Sequence, residues 1–249
     1  MKRIYLFIIL AGTQIAFSQT KKENIKAIYT TEFLIDYDKI KDQIPSSYRD
    51  AVKSEIDRGI YVDFELESNG EISSFKPEIK LNNRQSNDGI IYQQIIASEG
   101  NPLFKDYNKN EFYNVKDIGG KIYLINDKLT DYQWKITREK TKINGYNVTK
   151  ATGTDEELKD LTVWFSSDLP YRDGPYRFAN LPGLIVRAEF NMQFFKTIFT
   201  LKEIKILDKP IAITLPTKGK IVTDKQFTEE MEELTRKYKE ANQGVDTSK

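Results

Sequence analysis

Apolar and polar residues alternate along most of this chain after its first twenty positions, the pattern of strands that bury one face of a sheet. Ile60, Val62, Phe64 and Leu66 fall on one side of a strand, with Asp63, Glu65 and Glu67 on the other. Leu184, Val186, Ala188 and Phe190 repeat the pattern against Ile185, Arg187 and Glu189. The same reading predicts strands over 28–35, 72–75, 90–96, 121–125, 132–142, 146–152, 161–165, 194–201 and 204–207. Asn144-Gly145 and Asn69-Gly70 are short hairpin turns, because these residues accept positive φ. Such close connections predict an antiparallel meander.

Two segments change to helical spacing. Residues 47–58 place Tyr48, Val52 and Ile56 on one face and stop before Gly59. Thr223-Asp224-Lys225-Gln226 has the form of a capping box, and opens a helix with Phe227, Met231, Leu234 and Tyr238 on one stripe. That stripe is expected to dock on the sheet. The predicted fold is mainly β: a single domain over 19–243, built on a curved antiparallel sheet, with one short helix near the N-terminus and a C-terminal amphipathic helix. A strongly twisted sheet of this length curls, here towards a half-open barrel resembling the outer-membrane lipoprotein carriers. Residues 244–249 read as a disordered tail.

The first residues follow a different logic. Met1-Lys2-Arg3 is basic, 4–11 is an apolar run, and Ala16 and Ser18 are small residues before Gln19. This is the layout of a secretory signal peptide over 1–18, cut between Ser18 and Gln19. Thr13 and Gln14 interrupt the run well short of the ~20 apolar residues that a spanning helix needs. No cysteine follows, so the mature chain is expected in the periplasm or secreted, without a lipid anchor or membrane span.

Composition narrows the chemistry. With 38 Lys+Arg against 37 Asp+Glu, the chain has no electrostatic pull towards nucleic acid. It has no His and no Cys, which removes Ser-His-Asp triads, Cys nucleophiles and His/Cys metal sites. No disulfide can staple the fold. No cofactor and no metal are expected. An enzyme would have to work with carboxylates alone, so a non-catalytic protein is the reading preferred.

One stretch stands out. Of the chain's eight prolines, Pro170, Pro175 and Pro182 fall in one loop. The loop runs from the Trp164-Phe165 strand to Asn180-Leu181-Pro182-Gly183-Leu184-Ile185, where Leu181–Leu184 fits a type II turn. It would present Tyr171, Arg172, Asp173, Tyr176 and Arg177 at one sheet edge. The arginines could fork onto a carboxylate or phosphate, and the tyrosines offer stiff contact area. The plainer reading is a rigid connector whose Pro and Gly serve only the backbone.

Through these residues the chain resembles the GLPGLI family of exported bacterial proteins. The resemblance is carried by Asn180 to Ile185, by Gly174-Pro175-Tyr176-Arg177-Phe178, by Trp164-Phe165 leading to Leu169-Pro170, and by Ile143-Asn144-Gly145-Tyr146 with Lys150-Ala151. It covers about 130–206. Asn180 stands where the family name has Gly, and Val148 where relatives carry Cys. The resemblance implies export and shared fold, and no reaction.

Other candidates are weaker. Asp63, Glu65 and Glu67 could suggest a two-carboxylate glycosidase, but alternating outward acids usually form a solvated face. Arg138, Lys140 and Lys142 read as a solubilising strand face. Asp36-Tyr37-Asp38 lacks the spacing of a calcium loop. The expected function is a non-catalytic exported binding or carrier-like protein for an apolar or anionic ligand. The alternatives are an interaction module docking on an outer-membrane or envelope protein, and a carboxylate-based hydrolase.

Overall fold

The computed structural model describes residues 24–78, 89–155, 158–192 and 194–243. The leader over 1–18, the Ser18/Gln19 junction and the 244–249 tail lie outside them. Among the described residues twelve strands form one sheet: β1 (Asn24–Ile35), β2 (Ile60–Ser68), β3 (Ile72–Pro77), β4 (Leu103–Asp106), β5 (Glu111–Ile118), β6 (Lys121–Lys128), β7 (Lys135–Ile143), β8 (Tyr146–Thr152), β9 (Lys159–Ser166), β10 (Leu184–Asn191), β11 (Phe195–Leu207) and β12 (Lys220–Val222). Across the sheet the order is β12-β6-β5-β4-β3-β2-β1-β11-β10-β9-β8-β7. Every neighbouring pair is antiparallel except β12 with β6. Two meanders thus meet where β1 pairs with β11.

The connectivity forces the sheet to curl. β6 and β7 lie ten strand steps apart, roughly 48 Å in a flat sheet at about 4.8 Å per step. Only residues 129–134 join them, and that many Cα steps reach about 25 Å at most. The two ends of the sheet must therefore approach each other, which leaves an open barrel with a seam between β12/β6 and β7. The sheet is curved and not closed.

The alternating strands bury the faces they predict. Ile60, Val62, Phe64 and Leu66 are 0–4% exposed, as are Leu184, Val186, Ala188 and Phe190. Their face is aromatic: Phe64 stacks on Phe75 at 5.0 Å, and Phe199 meets both edge-on. The opposite face is laced with ions. Asp63 takes Lys202 at 3.1 Å, and Glu65 takes Lys26 at 2.5 Å and Lys76 at 3.8 Å. The acids of β2 therefore sit among lysines on the outside of the sheet.

Local turn chemistry works as read for the β7–β8 hairpin, where Asn144 and Gly145 take φ of +48° and +85°. At the β2–β3 turn Gly70 takes φ +81°, and the Asn69 side chain accepts the backbone N–H groups of Glu71 and Ile72 at 3.0 and 2.8 Å. Three expectations change. Residues 90–96 are no strand but part of helix α3 (Ile90–Glu99), which follows α1 (Tyr37–Ile40) and α2 (Arg49–Arg58). The cap that allows α3 comes from afar: Glu55, buried on α2, accepts the N–H groups of Ile91 and Tyr92 at 3.0 and 2.8 Å. β7 starts at Lys135, because Tyr132 is buried in the seam connection. Residues 194–201 and 204–207 are one continuous strand, β11.

The last helix, α4 (Asp224–Gln243), opens with the predicted box. Gln226 N–H donates to Thr223 Oγ1 at 3.2 Å, and Thr223 N–H to Gln226 Oε1 at 2.9 Å. Phe227 meets Tyr123 edge-on, and Met231 joins it on the small cluster of Phe112, Tyr123, Ile125 and Val222. Tyr238 ends the stripe 64% exposed, so docking covers only its first part. Among the described residues no helix is long and apolar enough to cross a membrane.

Candidate functional site

The loop over 167–183 does not project from a sheet edge. It folds back across the aromatic face and fills the inside of the curl. Lys105, on β4, is fully buried and donates from Nζ to Asp173 Oδ1 at 2.6 Å, to the Gly174 carbonyl at 2.6 Å and to the Phe178 carbonyl at 3.3 Å. The Asp173 carbonyl accepts the N–H of Ile185 on β10 at 3.0 Å, and β4 and β10 are separated by four strands in the sheet, so the loop bridges the interior between them. Tyr29 on β1 donates its hydroxyl to the Ile185 carbonyl at 2.7 Å. Phe178 is fully buried among Tyr132, Trp134, Tyr176 and Phe190. Trp134 Nε1 donates to the Ala179 carbonyl at 2.9 Å.

The electrostatics suit a locked plug. Burial lowers the pKa of Lys105, while the Asp173 charge opposes that shift. Burial, with the Asp173 charge second, holds the Tyr107 hydroxyl well above its usual range, and Tyr107 also meets Ser73 Oγ at 3.4 Å. Three acceptors meet the three donors of the Lys105 ammonium.

Arg177 fastens the plug at the seam. Its guanidinium forks onto Asp224, at the start of α4, with N–O distances of 2.5 and 3.0 Å. Its Cζ lies 4.1 Å from the Phe112 ring centroid and 5.4 Å from that of Tyr176. Arg177→Ala is expected to lower stability by about 2–3 kcal/mol, the range for buried charged hydrogen bonds. Arg177→Lys should recover only part of it, because an ammonium cannot fork. Urea unfolding of both variants with Asp224→Asn, as a double-mutant cycle, checks this; absence of coupling would show the pair idle.

The expected contact set therefore divides. Tyr171 and Asp173 are buried, Tyr176 and Arg177 half-buried, and Arg172 alone is exposed. The exposed presentation expected for the set is corrected by the Lys105 bond, which draws the loop inward. Gly174 packs against Ile185, where a Cβ would meet its side chain at 2.8 Å. Pro175, Leu181, Leu184 and Ile185 are buried, and Pro182 is exposed. Asn180 takes φ +68°, the left-handed conformation that asparagine tolerates. Gly183 takes φ +158° and so does not form the expected type II turn. Trp164 stays on β9, half-buried, with Lys150 Nζ 5.8 Å from its ring centroid.

Beside the plug, the seam opens into a cleft of about 860 Å³ between the 129–134 connection, the residues after β8 and the start of α4. Six carboxylates line it against two cations, Arg177 and Lys225. Among the described residues no group of three or more acids is placed to hold a metal ion.

No family model and no curated protein matches this chain. Solved structures do. A structure of PNGF-II covers 83% of this chain with a TM-score of 0.52 at 14% identity, and a second crystal form gives 0.51. The chain spans about a third (32%) of PNGF-II's length, and the likeness is one of fold. An uncharacterized conserved protein from Thermus thermophilus aligns over 82% of this chain and 92% of its own, at TM-score 0.40 and 7% identity. A putative outer membrane lipoprotein-sorting protein domain from Vibrio parahaemolyticus aligns over 75% of this chain and 86% of its own, at 0.31 and 9%.

Proposed function

We propose that this chain is an exported, non-catalytic binding protein that holds its partner on its outer surface, at the seam. One observation carries the reading: the loop over 167–183 occupies the inside of the curl, and Lys105 at its far wall is fully buried. An acyl chain could enter a barrel of this shape only by displacing that loop from two ion pairs and an aromatic cluster. The absence of His and Cys from the sequence supports a binding role over catalysis. Kinship with the GLPGLI family and cleavage at Ser18/Gln19 belong to the same proposal.

Native mass spectrometry of the protein purified from its own cell envelope tests it. The expected species begins at Gln19 and carries no lipid, with a polypeptide partner retained under gentle conditions. A stoichiometric lipid adduct would overturn the reading in favour of a carrier. Retention of residues 1–18 would overturn export by a cleaved leader.

A further inference from the structure

The apolar stripe of α4 is only partly used. Phe227, Met231, Leu234 and Tyr238 follow a four-three-four spacing, the repeat of a helix with a continuous seam on one side. The sheet engages Phe227 and Met231, while Tyr238 stands 64% exposed. Along the same helix runs a groove of about 550 Å³, lined by Phe227, Met231 and Thr235 together with Glu232, Arg236 and Glu240. This groove shares Thr228 and Glu232 with the acidic cleft at the seam, so the two form one surface.

The charge on that surface is lopsided. Seven carboxylates line it against three cations: Arg177 is already forked onto Asp224, Lys225 lies 3.9 Å from Glu229, and Arg236 stands on the groove. Glu232 has no ion pair among the described residues, and Asp131 accepts only the Gln133 N–H at 3.0 Å there. An anionic ligand or an anionic lipid surface would be repelled here. An apolar helix face flanked by carboxylates is complementary to an apolar face flanked by Lys and Arg.

We propose that α4 and the seam cleft together receive a basic amphipathic segment of a partner protein. This rests on the reading of the chain as a surface binder, and names the partner's chemistry. Apolar side chains of the segment would lie along Phe227, Met231 and Tyr238. Its cations would reach Glu229, Glu232 and Asp131.

The test uses the full chain and three fluorescein-labelled synthetic 14-residue peptides, followed by anisotropy. The first has Leu at helical spacing with Lys elsewhere; the second replaces every Lys by Glu; the third replaces every Leu by Ser. Saturable binding of the Leu/Lys peptide alone is expected, weakening as salt is raised. Glu229→Lys/Glu232→Lys should weaken it at least ten-fold, and Tyr238→Ser at least three-fold. All three positions are exposed, and melting curves of both variants confirm that folding is intact. No saturable binding, equal binding of either control peptide, or affinity unchanged in the variants would overturn the proposal. Vesicles of anionic lipid serve as a fourth probe, and binding to them through α4 would overturn it too. A lipid adduct in the native spectrum would sink the surface-binder reading by an independent route, so the two failures are distinguishable.

Discussion

Lys105→Met is expected to destabilise the protein by about 3–5 kcal/mol, the cost of leaving one member of a buried ion pair alone. The substitution keeps an unbranched apolar stem only one atom shorter than the lysine, so little packing is lost. What remains is the Asp173 carboxylate, 3% exposed, whose Oδ2 already lacks a normal hydrogen bond. The Gly174 and Phe178 carbonyls lose their donor in the same step. Asp173→Leu should cost a similar amount, by stranding the ammonium. The double variant Lys105→Met/Asp173→Leu should recover half or more of the loss, since neither charge is then buried unpaired. Recovery stops short of complete because the two carbonyls stay unsatisfied. Urea unfolding of the four proteins gives the coupling directly. Single-variant losses below about 1 kcal/mol, the level of exposed pairs, would show that water reaches Lys105 and that the loop does not plug the curl.

The sheet was legible because its strands obey period two. β2 and β10 bury the side chains that alternation assigns, and the Thr223/Gln226 box forms bond for bond. The misplacement of 90–96 has a definite cause. Its run of isoleucines fits strand or helix, and the decision comes from Glu55, more than thirty residues away in sequence. β5 had a signal that could have been used: Gly119-Gly120 takes φ of +61° and +87° at the turn that leads from it into β6. The site was harder to see. Tyr171, Arg172, Asp173, Tyr176 and Arg177 are polar or amphipathic, and such residues in a Pro/Gly loop read as exposed. Their partners Lys105, Phe112 and Asp224 lie on three separate elements. Only the curl of the sheet brings those elements round one loop, and the curl follows from the short β6–β7 connection, not from any motif. Lys105 did carry a hint, as a lone cation between Leu103 and Tyr107 on the strand face that turns inward.

Gly183→Ala is expected to cost about 3 kcal/mol, for steric as well as conformational reasons. At φ +158° the backbone holds a conformation that L side chains rarely adopt, so alanine is strained there before any contact is counted. Its Cβ would also stand 2.1 Å from the Ser166 carbonyl oxygen and 2.6 Å from that carbonyl's carbon. Those atoms cannot move aside cheaply. Ser166 pairs with Leu184 in the β9–β10 ladder, and its carbonyl accepts the Leu169 N–H at 3.2 Å. Leu184 N–H in turn donates to the Leu169 carbonyl at 2.9 Å, so the start and end of the loop are tied together at this point. Relief requires the two ends to part, which pulls Ile185 from the Asp173 carbonyl and loosens Asp173 itself. Asn180→Gly is the matched contrast. Asn180 holds φ +68° on the exposed side of the same turn, a conformation glycine adopts without penalty. Relief of that strain and the entropy of a freer unfolded chain oppose each other, so its stability should stay within about 1 kcal/mol of the parent. Thermal melting of the pair decides the matter: a large loss at 183 beside a small change at 180 marks close backbone approach, together with backbone strain, as the reason for the glycine. Equal small shifts would mean that the loop ends yield readily, and that the plug is held from its middle by Lys105 and Arg177.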